Sequence, residues 1–211
     1  MRTEDLISTL ATNAGPAPRA AVARRLTPAI AFGLAVSVVL SLALLGPVRD
    51  LAVPGVGYWV KLVYASALIA TGAWLTGRLS RPAARIGPAA LTLGTVLLAM
   101  GAAGATVLAS VPEVARSEQI WGHSALMCPI AVFALSMPAL AATLWAVRGL
   151  APTNPRAAGF AAGMVAGAAG AAGYALACTE HSMTFIALWY TLGIVLCGVA
   201  GAVLAPRFLR W

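Results

Sequence analysis

The stretch from Ile120 to Pro138, IWGHSALMCPIAVFALSMP, decides how this chain folds. Its polar beginning contains His123, and it continues into an apolar run over about 125–147 that carries Cys128 near its start. Pro138 lies in the middle of this run, where a missing N–H and a bulky ring predict a kink. The stretch therefore predicts a kinked, membrane-spanning helix with a histidine and a thiol at one end.

The rest of the chain has the same apolar character. Of its 211 residues 61% are hydrophobic and 9% are charged, and the mean hydropathy is +0.89. Soluble proteins carry roughly 25% charged residues, so the natural solvent here is a bilayer. About 20 apolar residues cross its hydrocarbon core. We predict an all-α fold, an integral membrane bundle of six transmembrane helices preceded by a short cytoplasmic segment (1–27). The predicted spans are about 28–46, 58–77, 87–109, 125–147, 157–177 and 184–205.

Within the fifth predicted span, glycine recurs every four residues at Gly159, Gly163 and Gly167. This spacing aligns the glycines on one face of a helix, and small residues on one face allow another helix to approach closely. We therefore expect span 5 to be a packing surface inside the bundle.

The basic residues predict the orientation of the spans. If the N-terminus is cytoplasmic, 11 of the 14 basic residues lie inside and only Arg49, Lys61 and Arg116 lie outside. Such a bias is the positive-inside rule, and it explains the net charge of +8 without a nucleic-acid partner. Both termini are then cytoplasmic. Lys61, at the start of span 2, is expected to extend its ammonium group to the outer interface.

The N-terminal segment (1–27) predicts one short helix. Thr3 can cap it, and Leu6, Ile7 and Leu10 then fall on one side. About three turns are marginal alone in water. Two interpretations stay open: a frayed tail or interfacial helix that orients the first span, or a helix that orders in the groove of a soluble partner.

The ionisable chemistry of the chain collects at the outer rim. Cys128 and Cys178 lie at similar depth at the outer ends of spans 4 and 5. Three interpretations compete: inert packing residues, a structural disulfide, and a redox- or metal-responsive pair. In the last case His123, Glu180 and His181, the weaker candidates, could add ligands to a transient metal ion. Cys197 lies deeper and is expected to be a core residue, since thiols pack well in apolar surroundings.

Several function classes lack their residues. No Gly-rich phosphate loop, no Ser-His-Asp set, no HExxH and no CxxC occurs, so we do not expect an enzyme or a resident cofactor. No carboxylate lies within a predicted span, which disfavours a proton-coupled transporter. A small transporter or channel stays the alternative to a regulator. A haem protein that uses His123 and His181 is weaker still, because no second pair of histidines exists.

The chain resembles the NrsF family of bacterial membrane anti-sigma factors over essentially its full length. No single motif is highly specific, but their order and spacing together are. The matching pieces are Met1 to Ile7, Arg49 to Leu51, Tyr58 to Lys61, Cys128-Pro129, Ser136 to Ala139, Leu150 to Thr153, Cys178 to Glu180, and Phe185 to Tyr190. The chain departs from the family pattern in the first outer loop, where it reads Gly-Pro-Val-Arg-Asp-Leu.

The resemblance implies a function. Members are six-span inner-membrane proteins that hold an extracytoplasmic-function sigma factor inactive at the cytoplasmic face. A stress signal associated with metals or oxidants relieves the inhibition, and the two cysteines linked to that response map onto Cys128 and Cys178. The N-terminal segment, with Asp5, Leu6, Ile7 and Leu10, is then the candidate surface for the sigma factor. The other expected partner is the lipid bilayer.

Overall fold

The computed structural model describes residues 3–13, 20–48, 55–81, 85–150 and 152–209. All regular secondary structure in these residues is helical. The first outer loop, where the chain departs from the family pattern, lies mostly outside them. The helices are α1 (Thr3–Asn13), α2 (Ala21–Leu44), α3 (Val56–Leu79), α4 (Gly87–Ser110), α5 (Glu113–Trp121), α6 (Met127–Leu135), α7 (Met137–Arg148), α8 (Pro155–Tyr174) and α9 (Met183–Phe208).

Five helices, α2, α3, α4, α8 and α9, are long and apolar enough to cross a membrane. The pair α6 and α7 passes the same test together, and the described residues then hold six crossings if the bent pair is one span. The all-α class is thus confirmed, and each predicted span coincides with one of these units. The first begins earlier than predicted, at Ala21 rather than near residue 28, because Pro28 is accommodated inside α2.

The kink predicted at Pro138 is present. The axes of α6 and α7 differ by 43°, and Pro138 stands in the first turn of α7. Since proline has no N–H, the carbonyl of Ala134 loses its usual partner four residues later. The Ser136 N–H donates to Val132 and Phe133 at 3.0 and 3.2 Å, so the break occurs just before the proline.

Helix α8 is the centre of the bundle. Fifteen of its 20 residues are buried, whereas only 4 of the 24 residues of α4 are buried. It contacts α2, α3, α6, α7 and α9. Its alanines and glycines have almost no side chain to displace neighbours, so five helices can surround one.

The glycine face predicted for α8 packs on α9. Added methyl groups on Gly159, Gly163 and Gly167 would all meet α9 atoms, and at Gly167 the Ile194 carbonyl oxygen would lie 2.8 Å away. Cys197 is fully buried at this interface, which confirms it as a core residue. Within α9, Ile186–Tyr190 forms a π-helical turn, a widening often found at functional sites.

Helix α5 was not predicted, since its sequence was interpreted as a loop. It has no buried residue and is held from one side. The Ser182 hydroxyl donates to the Gln119 side chain at 2.6 Å, and the Trp189 indole N–H donates to the Ile120 carbonyl at 2.8 Å. Both acceptors lie on α5 and both donors lie at or near the start of α9. These contacts fix the turn between α5 and α6 (residues 122–126), the corner before α6, against α9.

Candidate functional site

The structure brings Cys128 and Cys178 together. Cys128 lies in the first turn of α6, where its N–H donates to the Ser124 carbonyl at 2.9 Å. Cys178 follows the end of α8, where its N–H donates to the Tyr174 carbonyl at 3.0 Å. Both side chains are free thiols of one buried cluster, and Cys128 lies close enough to lower the pKa of the Cys178 thiol. The residues predicted from sequence as a pair are thus in contact.

The thiols are removed from water. Cys128 is 0% and Cys178 is 5% exposed. Tyr174 and Tyr190 stack beside them with ring centroids 6.2 Å apart, and the Tyr190 hydroxyl donates to the Ala171 carbonyl. Only a small reagent can therefore reach the pair without opening of the bundle.

Lys61 belongs to this site, contrary to the expectation from sequence. It is 1% exposed, and its ammonium donates to the Cys178 carbonyl at 2.8 Å. The prediction that it extends to the outer interface is wrong, because the buried face of α3 turns this side chain towards the loop after α8. An ionisable residue within a span is a functional-site signal in itself, and that signal was available in the sequence.

The pKa of the Cys178 thiol is lowered below its usual value. The main cause is the hydrogen bond donated by the Cys128 thiol, followed by the charge of Lys61 and the hydrogen bonds from the Glu180 N–H and the Lys61 ammonium. Burial acts in the opposite direction, because it disfavours the charged thiolate. The effect of these neighbours on the Cys178 thiol outweighs that of burial, so the net change in its pKa is downward.

Glu180 is buried, and its carboxylate is bonded to the chain before α6. Its carboxylate accepts hydrogen bonds from the His123 backbone N–H at 2.7 Å and the Ser124 hydroxyl at 3.1 Å. Gly122, with φ +49°, presses against it, since an added methyl group would lie 2.6 Å from a carboxylate oxygen. The carboxylate thus clamps the corner before α6, and its role as a weaker candidate metal ligand stays a prediction.

The two histidines are separate from the thiols. The His123 side chain is 86% exposed, with its Nδ1 3.9 Å from the Glu180 carboxylate. His181 is exposed and packs on Gly55 and Gly57 at the start of α3. Among the residues that the structure describes, no group of three or more Cys, His, Asp and Glu side chains could hold a metal ion.

The candidate partner-binding residues lie on α1. Glu4 and Asp5 occupy its first turn, and Ile7 is 61% exposed. The Asp5 carbonyl accepts hydrogen bonds from the Ser8 and Thr9 hydroxyls at 3.0 and 2.7 Å. The predicted helix is confirmed, while the side chains of Leu6 and Leu10 lie outside the described part of the chain.

Comparison with known proteins identifies the family of the chain. The family model described as negative regulator of sigma F matches residues 10–211. A probable anti-sigma-F factor NrsF of Azospira oryzae is 39% identical over 213 residues, and the anti-sigma-F factor NrsF of Caulobacter vibrioides is 39% identical over 215 residues. Both alignments cover 100% of each chain. No solved structure matches. The chain therefore belongs to the NrsF family of negative regulators of sigma F.

Proposed function

We propose that this chain is an anti-sigma factor of the bacterial inner membrane that binds an extracytoplasmic-function sigma factor at the cytoplasmic face. We further propose that it releases this partner when Cys128 and Cys178 are oxidised. The full-length relatives are named anti-sigma-F factors, and five or six helices are suited to a bilayer. The family is one of regulators rather than of catalysts.

The orientation follows from the distribution of basic residues, with 11 of 14 on the proposed inner side. Both termini are then cytoplasmic, and the thiols face the periplasm. That compartment is oxidising, so a periplasmic dithiol is exposed to the kind of signal that it can record.

The observation that carries the proposal is that two buried free thiols lie side by side, one in the first turn of α6 and one in the loop after α8. A closed structural metal site usually has four ligands, and the described residues add no third ligand of the His, Cys, Asp or Glu type. Reversible dithiol oxidation needs only the two sulfurs. We therefore assign oxidation, rather than ion binding, as the stimulus.

The inner end of the bundle provides a path to the N-terminal segment. Cys128 lies on α6, which continues through the kink into α7, and α7 packs on α2. There Gly33 faces Ala139, and the Arg25 guanidinium lies against Gly149. Cys178 follows α8, where the Ser37 hydroxyl of α2 donates to the Gly170 carbonyl at 3.3 Å. Movement of α6, which carries Cys128, or of α8, which precedes Cys178, therefore acts on α2. Helix α2 follows the proposed sigma-binding segment.

The proposal is tested with a sigma-dependent reporter in cells that contain equal amounts of inserted protein, with and without oxidant. Cys128→Ser and Cys178→Ser should each lose most of the induction. The double variant should lose little more, because either substitution alone breaks the pair. Cys197→Ser is the matched control, since it removes a buried thiol elsewhere in the bundle and should respond normally.

A second measurement addresses the partner. The tagged protein, extracted in mild detergent, should retain its sigma factor from reduced cells and lose it after oxidation. Full induction of the double variant would reduce both cysteines to packing residues. Recovery of no sigma factor from reduced cells would contradict the anti-sigma assignment itself.

A further inference from the structure

Lys61 is the only lysine of the chain, and it lies against one thiol of the pair. It is 1% exposed and donates to the Cys178 carbonyl at 2.8 Å, and its charge lowers the pKa of the Cys178 thiol. A buried ammonium is costly unless acceptors or an anion compensate for the lost water. Among the described residues, the groups that compensate it belong to Cys178.

The two thiols are not equivalent. The buried ammonium of Lys61 is held at Cys178, 2.8 Å from its carbonyl oxygen, and a nearby cation favours a thiolate. Cys128 is 0% exposed against 5% for Cys178. Thiolate character and access to solvent both select the reactive cysteine. Both favour Cys178.

We propose that Lys61 makes Cys178 the thiol that attacks an oxidant of the hydroperoxide class, while Cys128 resolves the product. The inference rests on the proposed function, because it assigns separate roles within the same sensing pair. Lys61 is a positioning residue in this scheme, since it acts on the oxidant only through Cys178.

The chemistry balances with hydrogen peroxide. The Cys178 thiolate attacks one peroxide oxygen, the O–O bond breaks, and the products are the Cys178 sulfenic acid and hydroxide, which takes up a proton to become water. The Cys128 thiol then attacks the sulfenic sulfur, an S–S bond forms, and the hydroxyl leaves with the Cys128 proton as a second water. The sum is two thiols and one peroxide giving one disulfide and two waters.

The charged and titratable groups that face Cys178 come from every neighbouring element. They are Lys61 of α3, Cys128 of α6, Tyr174 of α8, Glu180 of its own loop and Tyr190 of α9. Of these, only Lys61 is a cation. The lowered pKa of Cys178 supports the assignment, and Lys61 is the neighbour whose removal lowers the local positive charge.

The test uses the purified full-length protein in detergent, with N-ethylmaleimide and hydrogen peroxide as probes. Brief labelling, followed by mass spectrometry, should find the adduct first on Cys178. A free cysteine is half-ionised at a pH of about 8.5. The rate of Cys178 labelling should stay high below that pH. Lys61→Met should move the pH midpoint upward. At pH 7 it should slow labelling by roughly threefold for each unit by which the shifted pKa exceeds 7, because loss of thiolate then outweighs the gain in nucleophilicity.

Two variants separate the charge from the fold. Lys61→Arg keeps the charge and should retain a pH midpoint within about one unit of the original. Tyr64→Phe, on the same helix, removes a hydrogen bond of 2.8 Å to Thr191 and should leave the pH profile unchanged. With peroxide, Cys128→Ser should accumulate the Cys178 sulfenic acid, which dimedone traps, while Cys178→Ser should give little of the Cys128 acid.

The inference is overturned if unmodified protein is labelled first on Cys128, or if Lys61→Met and Tyr64→Phe give the same pH profile. The first measurement uses the unmodified protein, so it tests the inference even if Lys61→Met misfolds. Failure here is distinct from failure of the proposed function. Loss of the Cys178 preference with intact induction would refute only the role of Lys61, whereas loss of induction with intact Cys178 reactivity would refute the sensing role.

Discussion

The Glu180 carboxylate accepts a hydrogen bond from the His123 backbone N–H at 2.7 Å, and this contact joins the loop after α8 to the corner before α6. The Ser124 hydroxyl donates to the same oxygen at 3.1 Å. Cys128 follows that corner, and Cys178 lies two residues before Glu180 in the chain. The clamp therefore fixes the two chain segments that carry the thiols.

Glu180→Ala should loosen this contact. It leaves the partly buried His123 N–H and Ser124 hydroxyl without their acceptor, which costs less than the about 1–3 kcal/mol of a fully buried unsatisfied donor. We expect lower thermal stability in detergent and slower formation of the Cys128–Cys178 disulfide under a fixed dose of oxidant. Glu180→Gln keeps one acceptor oxygen. Its thermal stability and its rate of disulfide formation should therefore lie between those of Glu180→Ala and the original protein.

Glu118→Ala is the matched control for this loss, because Glu118 is an exposed carboxylate on α5 at the same end of the bundle. It should leave both stability and disulfide formation unchanged. Equal rates of disulfide formation in Glu180→Ala and the original protein would show that the clamp does not position the thiols.

Gly167→Ala should destabilise the contact of α8 with α9. The added methyl group would lie 2.8 and 2.9 Å from the Ile194 carbonyl oxygen and Cα, and backbone cannot give way as a side chain can. Overpacking of this kind costs typically about 1–3 kcal/mol. Gly101→Ala on α4, where nothing lies within 4 Å, should be neutral in the same thermal assay. Equal effects of both substitutions would contradict close packing at Gly167.

The sequence was sufficient for the all-α class and the positions of the apolar helices, because hydropathy and length alone constrain a span. It also predicted the kink at Pro138 and the packing face of α8, since both depend on local chemistry. The sequence left open whether Cys128 and Cys178 meet, because depth in a membrane can be predicted from sequence but rotation about a helix axis cannot.

The rotation of α3 about its own axis cannot be predicted from the sequence either, and this explains the wrong prediction for Lys61. A lysine near the end of a span usually extends to the interface, but here it shares a helix face with Tyr64 and Leu68, which are buried as well. Helix α5 was missed for a related reason. Its nine residues are held by contacts from Ser182 and Trp189, distant in sequence, and a helix this short is marginal alone.

Deletion of residues 2–14 should release the sigma factor while leaving the membrane helices inserted. Leu6→Asp and Leu10→Asp should act similarly, because an unpaired charge in an apolar groove costs several kcal/mol. Thr12→Asp introduces the same charge on the opposite face of α1 and should preserve repression. The measurement is the sigma-dependent reporter at equal protein levels. Continued repression by the inserted deletion variant would place the sigma-binding surface elsewhere.

The proposed orientation predicts the behaviour of reporter fusions. A reporter active only in the periplasm should stay silent when it follows residue 211 and become active when it follows residue 118 in α5. The reason is the excess of basic residues on the inner side, 11 of 14. A cytoplasm-active reporter at the same two points is the control and should give the reverse pattern. Activity of the periplasmic reporter at residue 211 would exclude six crossings with a cytoplasmic N-terminus.

Gly33→Leu should uncouple the thiols from the sigma factor. An added methyl group at Gly33 would already lie 2.5 Å from the Ala139 Cβ, so a leucine must push α2 away from α7. The proposed path from Cys128 to the N-terminal segment runs through this contact. The variant should therefore raise reporter expression without oxidant, while oxidant still converts Cys128 and Cys178 to a disulfide. Gly94→Leu, at an open position of α4, should leave repression and induction intact. Normal repression and induction by inserted Gly33→Leu protein would show that the signal does not pass through α7 and α2, and the contact of α8 with α2 at Ser37 would then be the remaining route.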